Sequence, residues 1–168
     1  LNNLKQAAKT MNFLTEHGIS NYGELESKLT ALSTRRDTAH AEIKRIESRS
    51  AELALVMKHA GTYRQLKPLY DRYRKSNDKE KFLRGHESEI ILFEAAAREL
   101  KRLGAVPLPT TESMKTELAN LSAEKERLLA EYKTARTEAQ KYETVKQNVD
   151  ALLAVPKEQE QQRRHELE

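Results

Sequence analysis

Between Thr111 and Leu153, seam positions recur at alternating spacings of four and three residues, and charged residues occupy most other positions. This pattern predicts a helix with one buried seam, because residues three and four apart share a helical face. The seam comprises Met114, Leu118, Leu121, Lys125, Leu128, Tyr132, Ala135, Ala139, Tyr142, Lys146, Val149 and Leu153. A long helix of this kind needs a partner of matching length.

The stretch between Asn21 and Ala60 repeats the alternation and supplies that partner. Its seam comprises Leu25, Leu29, Leu32, Arg36, Ala39, Ile43, Ile46, Ser50, Leu53 and Met57. We therefore predict an all-α fold: a long antiparallel coiled-coil hairpin, with a small helical head inserted at its tip and a short N-terminal helix packed at its base. The same heptads are also compatible with pairing between chains, which leaves an oligomer open.

An antiparallel hairpin also predicts a register. Residue numbers that face each other would sum to about 170 in this geometry. Lys125 would then lie near Glu42 or Glu47, and Arg36 near Glu131 or Glu138.

The predicted organisation has four parts. Residues 1 to 18 form an N-terminal helix, 19 to 60 and 111 to 153 the coiled-coil stalk, 61 to 110 the helical head with a basic patch, and 154 to 168 a flexible tail. The helix boundaries rest on local signals, because glycine and proline interrupt helices and short polar residues cap them. These signals are Gly18, Ser20 or Asn21, Gly61, Pro68, Asn77 with Glu80, Gly104, and Thr110 or Thr111. The apolar face of the first helix is predicted to comprise Leu4, Ala7, Ala8, Met11 and Leu14.

Composition narrows the class of protein. Charged residues make up 33% of the chain and aromatic residues 5%, which favours a thin helical seam over a thick core. The absence of cysteine excludes disulfides and thiolate metal sites, and is compatible with the cytoplasmic location that we predict. No run approaches the roughly 18 apolar residues of a membrane span, so we predict no span.

Enzymatic motifs are absent from the sequence. It has no glycine-rich phosphate loop, no paired metal-ligand spacing and no nucleophile elbow. Five histidines are scattered without a shared motif. We therefore predict no enzyme activity for this chain, no catalytic or metal-binding residues and no cofactor.

One local charge imbalance stands out at the start of the predicted head. Basic residues there alternate with tyrosines, an arrangement that can contact phosphates and stack on bases. The candidate nucleic-acid-binding residues are Arg64, Lys67, Arg72, Arg74, Lys75, Lys79, Lys81 and Arg84. We favour Arg64, Lys67, Arg74 and Lys75. We expect the tyrosines themselves to pack against the apolar run of the next helix, because an aromatic stripe at helical spacing is first a packing signal.

Several segments resemble a known family. Residues 66 to 82 (LKPLYDRYRKSNDKEKF), His86-Glu87 and residues 91 to 96 (ILFEAA) look like the C-terminal helical region of relaxases, the mobilization nucleases of bacterial conjugative elements. Residues 9 to 16 (KTMNFLTE) and 142 to 150 (YETVKQNVD) are similar to segments at corresponding places in such proteins.

The resemblance implies a role in conjugative DNA transfer, as part of a larger protein whose nicking domain uses a tyrosine nucleophile and a metal-binding histidine cluster. This chain has no such cluster, so none of its six tyrosines inherits the nucleophile role. Two functions remain open. One is a non-catalytic accessory module that binds DNA or docks relaxosome proteins. The other is a coiled-coil interaction or spacer module without nucleic-acid contact.

Overall fold

The computed structural model describes residues 2 to 165, and the side chains of residues 3 to 154 and 162 to 163. Four helices form in this range, in the order α1 (Asn2–Glu16), α2 (Tyr22–Lys75), α3 (Lys79–Arg102) and α4 (Thr111–His165). No strand occurs in the described range. The all-α prediction is confirmed.

The chain divides into two compact units, whose boundaries differ from the predicted stalk and head. Unit 1 comprises Leu1–Glu42 and Arg127–Glu168, and unit 2 comprises Ile43–Glu126. Helices α2 and α4 each contribute to both units.

In unit 1, α2 and α4 pack in antiparallel directions. Tyr22 Oη donates to Asp150 Oδ1 at 2.7 Å, and farther along α2 Arg35 Nε lies 2.9 Å from Glu131 Oε1. The core around Ile19, Leu25, Tyr142 and Val145 receives Phe13 and Leu14 from α1. Apolar contact with both long helices therefore fixes the position of α1 in this unit.

Unit 2 has the same antiparallel arrangement of α2 and α4. Lys125 Nζ lies 3.1 Å from Glu47 Oε1, and Arg49 Nε donates to Glu117 Oε1 at 2.7 Å. The core of this unit combines side chains from α2, α3, the segment after α3 and α4. It is built from Leu53, Val56, Ala60, Leu100, Ala105 and Met114.

The seam positions are buried or half-buried, as the alternation predicts, except at the C-terminal end. Leu153 is 59% exposed. The polar seam residue Lys146 forms an ion pair with Asp150 at 3.1 Å, and its Nζ lies 5.5 Å from the Tyr22 ring centroid. This pair and a hydrogen bond from Tyr22, which is the stronger influence, hold the pKa of Asp150 below its ordinary value. Lys146 thus has partners on its own helix and on the facing helix.

The C-terminal ends of α1 and α3 follow the predicted glycine signals. Gly18 and Gly104 both adopt positive φ, 63° and 68°, which glycine reaches without a steric penalty. Each terminates its helix with the same pair of backbone hydrogen bonds, including Ile19 N to Leu14 O and Ala105 N to Leu100 O, both at 2.9 Å.

Polar side chains cap the N-terminal ends of α2, α3 and α4. Asn21 Oδ1 accepts from Glu24 N, and Thr110 Oγ1 accepts from Ser113 N. Helix α3 differs from its prediction by one residue, since Asp78 rather than Asn77 accepts from Lys81 N. Either residue type caps a helix well, so sequence alone does not choose between neighbours.

The predicted break of α2 at Gly61 is wrong, as is the predicted break at Pro68, because α2 continues to Lys75. A helical glycine costs only about 1 kcal/mol relative to alanine, a small penalty in a helix of 54 residues. Pro68 removes one backbone donor from α2, and both Pro68 and Arg64 are exposed residues.

Helix α4 extends to His165 and so includes residues 154 to 165 of the stretch that is predicted to be a flexible tail. Lys, Glu, Gln and Arg dominate this stretch and have high helix propensity, so a charged composition is compatible with helix. Residues 166 to 168 of the predicted tail lie outside the described residues.

Two side-chain predictions are also wrong. On α1, Leu4 and Met11 are exposed, whereas Thr10 is 2% exposed and Phe13 packs edge-on to Tyr142 at 5.1 Å. The larger aromatic side chain sets which face docks. Arg36 forms its ion pair with the adjacent Asp37 at 2.8 Å and, within the described residues, has none with Glu131 or Glu138, the two acids that the register assigns to it. Arg35 pairs with Glu131 instead.

Candidate nucleic-acid interface

All eight predicted DNA-binding residues lie in unit 2, on the C-terminal part of α2 and the first part of α3. Their side chains differ in what they contact. The structure separates them into residues with internal partners and residues exposed without one.

Arg64 and Lys67 have internal partners. The Arg64 guanidinium donates to Thr111 Oγ1 at 2.7 Å and to the Pro109 carbonyl oxygen. It therefore ties α2 to the segment that begins α4. Lys67 Nζ donates to both carboxylate oxygens of Asp71 at 3.1 Å, an i,i+4 pair within α2. Each of the two cations would have to give up these partners to contact a phosphate.

Arg84 has a weak partner on its own helix. Its guanidinium lies 3.8 Å from Glu80 Oε1, and both side chains are highly exposed. Exposed pairs of this kind contribute little because water screens them. Arg84 therefore remains accessible, although Glu80 offsets part of its charge.

The other five residues form the surface that we call the turn cluster: Arg72, Arg74, Lys75, Lys79 and Lys81. All five residues are exposed, and none of their side chains has a hydrogen bond or ion pair within the part of the chain described here. Three lie in the last turn of α2 and two in the first turn of α3. The cluster thus places five unpaired positive charges around one short connection.

Local hydrogen bonds fix the conformation of the connection between α2 and α3. Ser76 N donates to the Tyr73 carbonyl oxygen at 3.2 Å, Asp78 N donates to Ser76 Oγ at 3.3 Å, and the Asp78 carboxylate caps α3. The rings of Tyr73 and Phe82 meet across the connection with centroids 6.1 Å apart. These contacts hold the ends of α2 and α3 together beneath the cations.

Helix dipoles explain only part of the cluster. Cations at the end of α2 interact favourably with the negative end of its macrodipole. Lys79 and Lys81, however, occupy the first turn of α3, where the dipole favours acids. The dipole of α3 therefore does not explain the positions of these two lysines.

Two of the three tyrosines pack against the apolar run as predicted, whereas Tyr73 lies against Tyr70 and Phe82. Tyr63 and Tyr70 both stack on Phe93, with ring centroids 4.8 and 4.2 Å away. Phe93 is buried, so these rings form part of the contact between α2 and α3. They are not free platforms for nucleobases.

The irregular backbone at His86 was not predicted from the sequence. This residue departs from helical geometry inside α3, with φ −139° and ψ 25°. Its Nδ1 is buried without a hydrogen-bond partner, 3.7 Å from Glu89 Oε1, and its ring lies 4.8 Å from that of Phe82. The preceding Gly85 is the one signal of a local irregularity, because glycine weakens a helix.

The described residues contain no metal-ligand group and no membrane-spanning helix. Among them, no three His, Asp or Glu side chains group as metal ligands. None of the helices within residues 2 to 165 has the length and apolar content needed to cross a bilayer. The candidate site is therefore a charged surface.

Comparison with known proteins gave no match. No protein-family model, curated protein or solved structure matches this chain. The relaxase resemblance therefore stays a prediction, and the case for function rests on the residues themselves.

Proposed function

We propose that this chain is a non-catalytic accessory part of a conjugative relaxase that binds DNA through the turn cluster. The single observation that carries DNA binding is the set of five exposed, unpaired cations around the α2–α3 connection. The conjugative setting rests on the sequence resemblance of residues 66 to 82 and the other segments quoted with it. Docking to relaxosome proteins is part of the same proposal.

Nearby acids do not neutralise the cluster. Asp71 is paired with Lys67, Asp78 caps α3, and Glu80 lies nearest Arg84. Each carboxylate thus has its own partner. The positive charge of the cluster remains available to phosphate oxygens, which bind lysine and arginine through charge-assisted hydrogen bonds.

The proposed mode of binding is contact with the DNA backbone. Cations that neutralise phosphates release condensed counterions, which gives affinity without base recognition. Because Tyr63 and Tyr70 already stack on Phe93, base stacking contributes little. We therefore expect weak sequence preference and strong dependence of affinity on salt.

The experiment is equilibrium binding to labelled single-stranded and duplex DNA, followed by fluorescence anisotropy. The test variant is R72Q/R74Q/K75Q/K79Q/K81Q. The control is K58Q/K101Q/K115Q/K133Q/R136Q, which removes the same charge at exposed positions outside the cluster. The proposal expects the test variant to lose at least about a hundredfold in affinity at low salt and the control to lose much less. Equal losses would show that only net charge matters.

A protein-docking function has one specific observation in its favour. Ile91 and Leu92 are adjacent on α3, and each is 55% exposed. Exposed apolar side chains of this size are candidates for burial by a partner protein. If the chain binds no DNA even at low salt, this surface becomes the better candidate, and I91S/L92S would be the variant that abolishes docking.

A further inference from the structure

Unit 1 contains a groove between α1 and α4, which is separate from the turn cluster. Its volume is about 630 Å³, within the range of small-ligand sites. Three lysines line it, Lys5 and Lys9 from α1 and Lys141 from α4. The sequence pattern gave no sign of it, because the two contributing segments lie far apart in the chain.

The polar wall of the groove is fixed by hydrogen bonds between the two helices. Gln6 Nε2 donates to Asn148 Oδ1 at 2.9 Å, and Asn148 Nδ2 donates to Thr10 Oγ1 at 3.3 Å. Thr10 is 2% exposed, a buried polar residue on α1. This network holds α1 against α4 and sets the spacing between lysines on opposite sides of the groove.

The lysines lack compensating charge. No Asp or Glu lines the groove, and none of the three side chains has a hydrogen bond or ion pair within the described residues. Lys5 and Lys9 are also four residues apart on one helix, a spacing at which like charges repel each other. A bound anion would relieve this repulsion.

We propose that the groove binds phosphate groups, with Lys5, Lys9 and Lys141 supplying the charge. Lysine acts as a point charge toward phosphate and needs no fixed planar geometry. The Thr144 hydroxyl, which also lines the groove, donates to the Gln140 carbonyl oxygen at 3.0 Å, so the three ammonium groups are the donors for an anion. The phosphate groups could belong to a free polyphosphate compound or to a nucleic-acid strand, since the chemistry is shared.

This inference is independent of the proposed DNA contact, because the groove and the turn cluster share no residue. The test uses the chain carrying the turn-cluster substitutions as background, so that any remaining binding is assigned elsewhere. Two probes distinguish the sources: tripolyphosphate and an eight-nucleotide single strand of thymidylates. Calorimetry measures each affinity, and amide shifts of Thr144 and Asn148 report binding at the groove.

The test variant is K5Q/K9Q/K141Q, and the matched control is K115Q/K133Q/R136Q, which removes three exposed charges outside the groove. K141E is a second variant that reverses one charge on α4 alone. The expected result is a loss of at least about tenfold in affinity for one or both probes in K5Q/K9Q/K141Q and K141E, but not in the control. Binding of tripolyphosphate alone assigns the groove to a free anion, whereas binding of the oligonucleotide assigns it to a strand. No binding of either probe, or equal binding by test and control variants, would overturn the proposal.

Discussion

Glu47 of α2 and Lys125 of α4 form an ion pair in unit 2, with Oε1 and Nζ 3.1 Å apart. This is one of the two acids that the antiparallel register assigns to Lys125. The hydrogen bond from Lys125, and a second from Lys44, hold the pKa of Glu47 below its ordinary value of 4.5. A polar seam residue is thus satisfied by a carboxylate on the facing helix.

This pair predicts a specific dependence of stability on pH. A carboxyl group whose folded pKa is lowered stabilises the fold above its unfolded pKa, and that stabilisation is lost as pH falls through the folded value. We expect E47Q to be less stable than the wild type at neutral pH and to lose less stability on acidification below about pH 4.3. Thermal unfolding across pH measures this. Parallel curves for the two proteins would contradict it.

Ala135 tests the buried seam of unit 1. Its side chain is fully buried, so a larger residue has no space without movement of its neighbours. We expect A135L to cost about 1–3 kcal/mol of unfolding free energy from overpacking. A130L is the control, because Ala130 is exposed on the same helix, and it should change stability by less than about 0.5 kcal/mol. Chemical denaturation compares them.

Substitution by alanine should change stability in opposite directions at two glycines. Gly104 adopts a φ of 68°, a region that costs a side-chain-bearing residue about 1–2 kcal/mol. Gly61 lies inside α2, and a Cβ there would meet nothing within 4 Å. We expect G104A to destabilise and G61A to stabilise by about 0.5–1 kcal/mol. Denaturant midpoints show the direction of each change in stability. A G61A variant less stable than the wild type would contradict this expectation.

Arg64 should contribute more to stability than to DNA binding. Its guanidinium donates to Thr111 and to the Pro109 carbonyl, so R64Q should cost about 1 kcal/mol of unfolding free energy. We expect its DNA affinity at low salt to change less than that of R74Q, whose side chain has no internal partner. Paired measurements of unfolding and DNA affinity on both variants check this. A larger affinity loss in R64Q would restore its place in the interface.

Much of the fold follows from periodicity. The alternation of seam residues identifies which faces of α2 and α4 are buried, and Gly18, Gly104 and Thr110 mark helix ends correctly. These features are local, because they depend on residues one or two turns apart. The sequence therefore contains enough information to predict them.

Other features depend on contacts between distant segments. The continuation of α2 through Gly61 and Pro68 reflects packing of Tyr63 and Tyr70 on Phe93, which local helix-breaking signals do not include. Likewise, Arg64 and Lys67 resemble their basic neighbours in sequence, and only the position of the Pro109 carbonyl and the orientation of Asp71 separate them. The structure thus distinguishes basic side chains that look alike in sequence, and their role in DNA binding stays a prediction.

The slope of the logarithm of DNA affinity against the logarithm of salt concentration shows whether the turn cluster contacts phosphates. If the turn cluster neutralises about five phosphates of a single strand, its removal should reduce the magnitude of the slope by about 3 to 4. The five-charge control should keep a slope near that of the wild type. Equal slopes for the wild type and the turn-cluster variant would contradict the proposed interface.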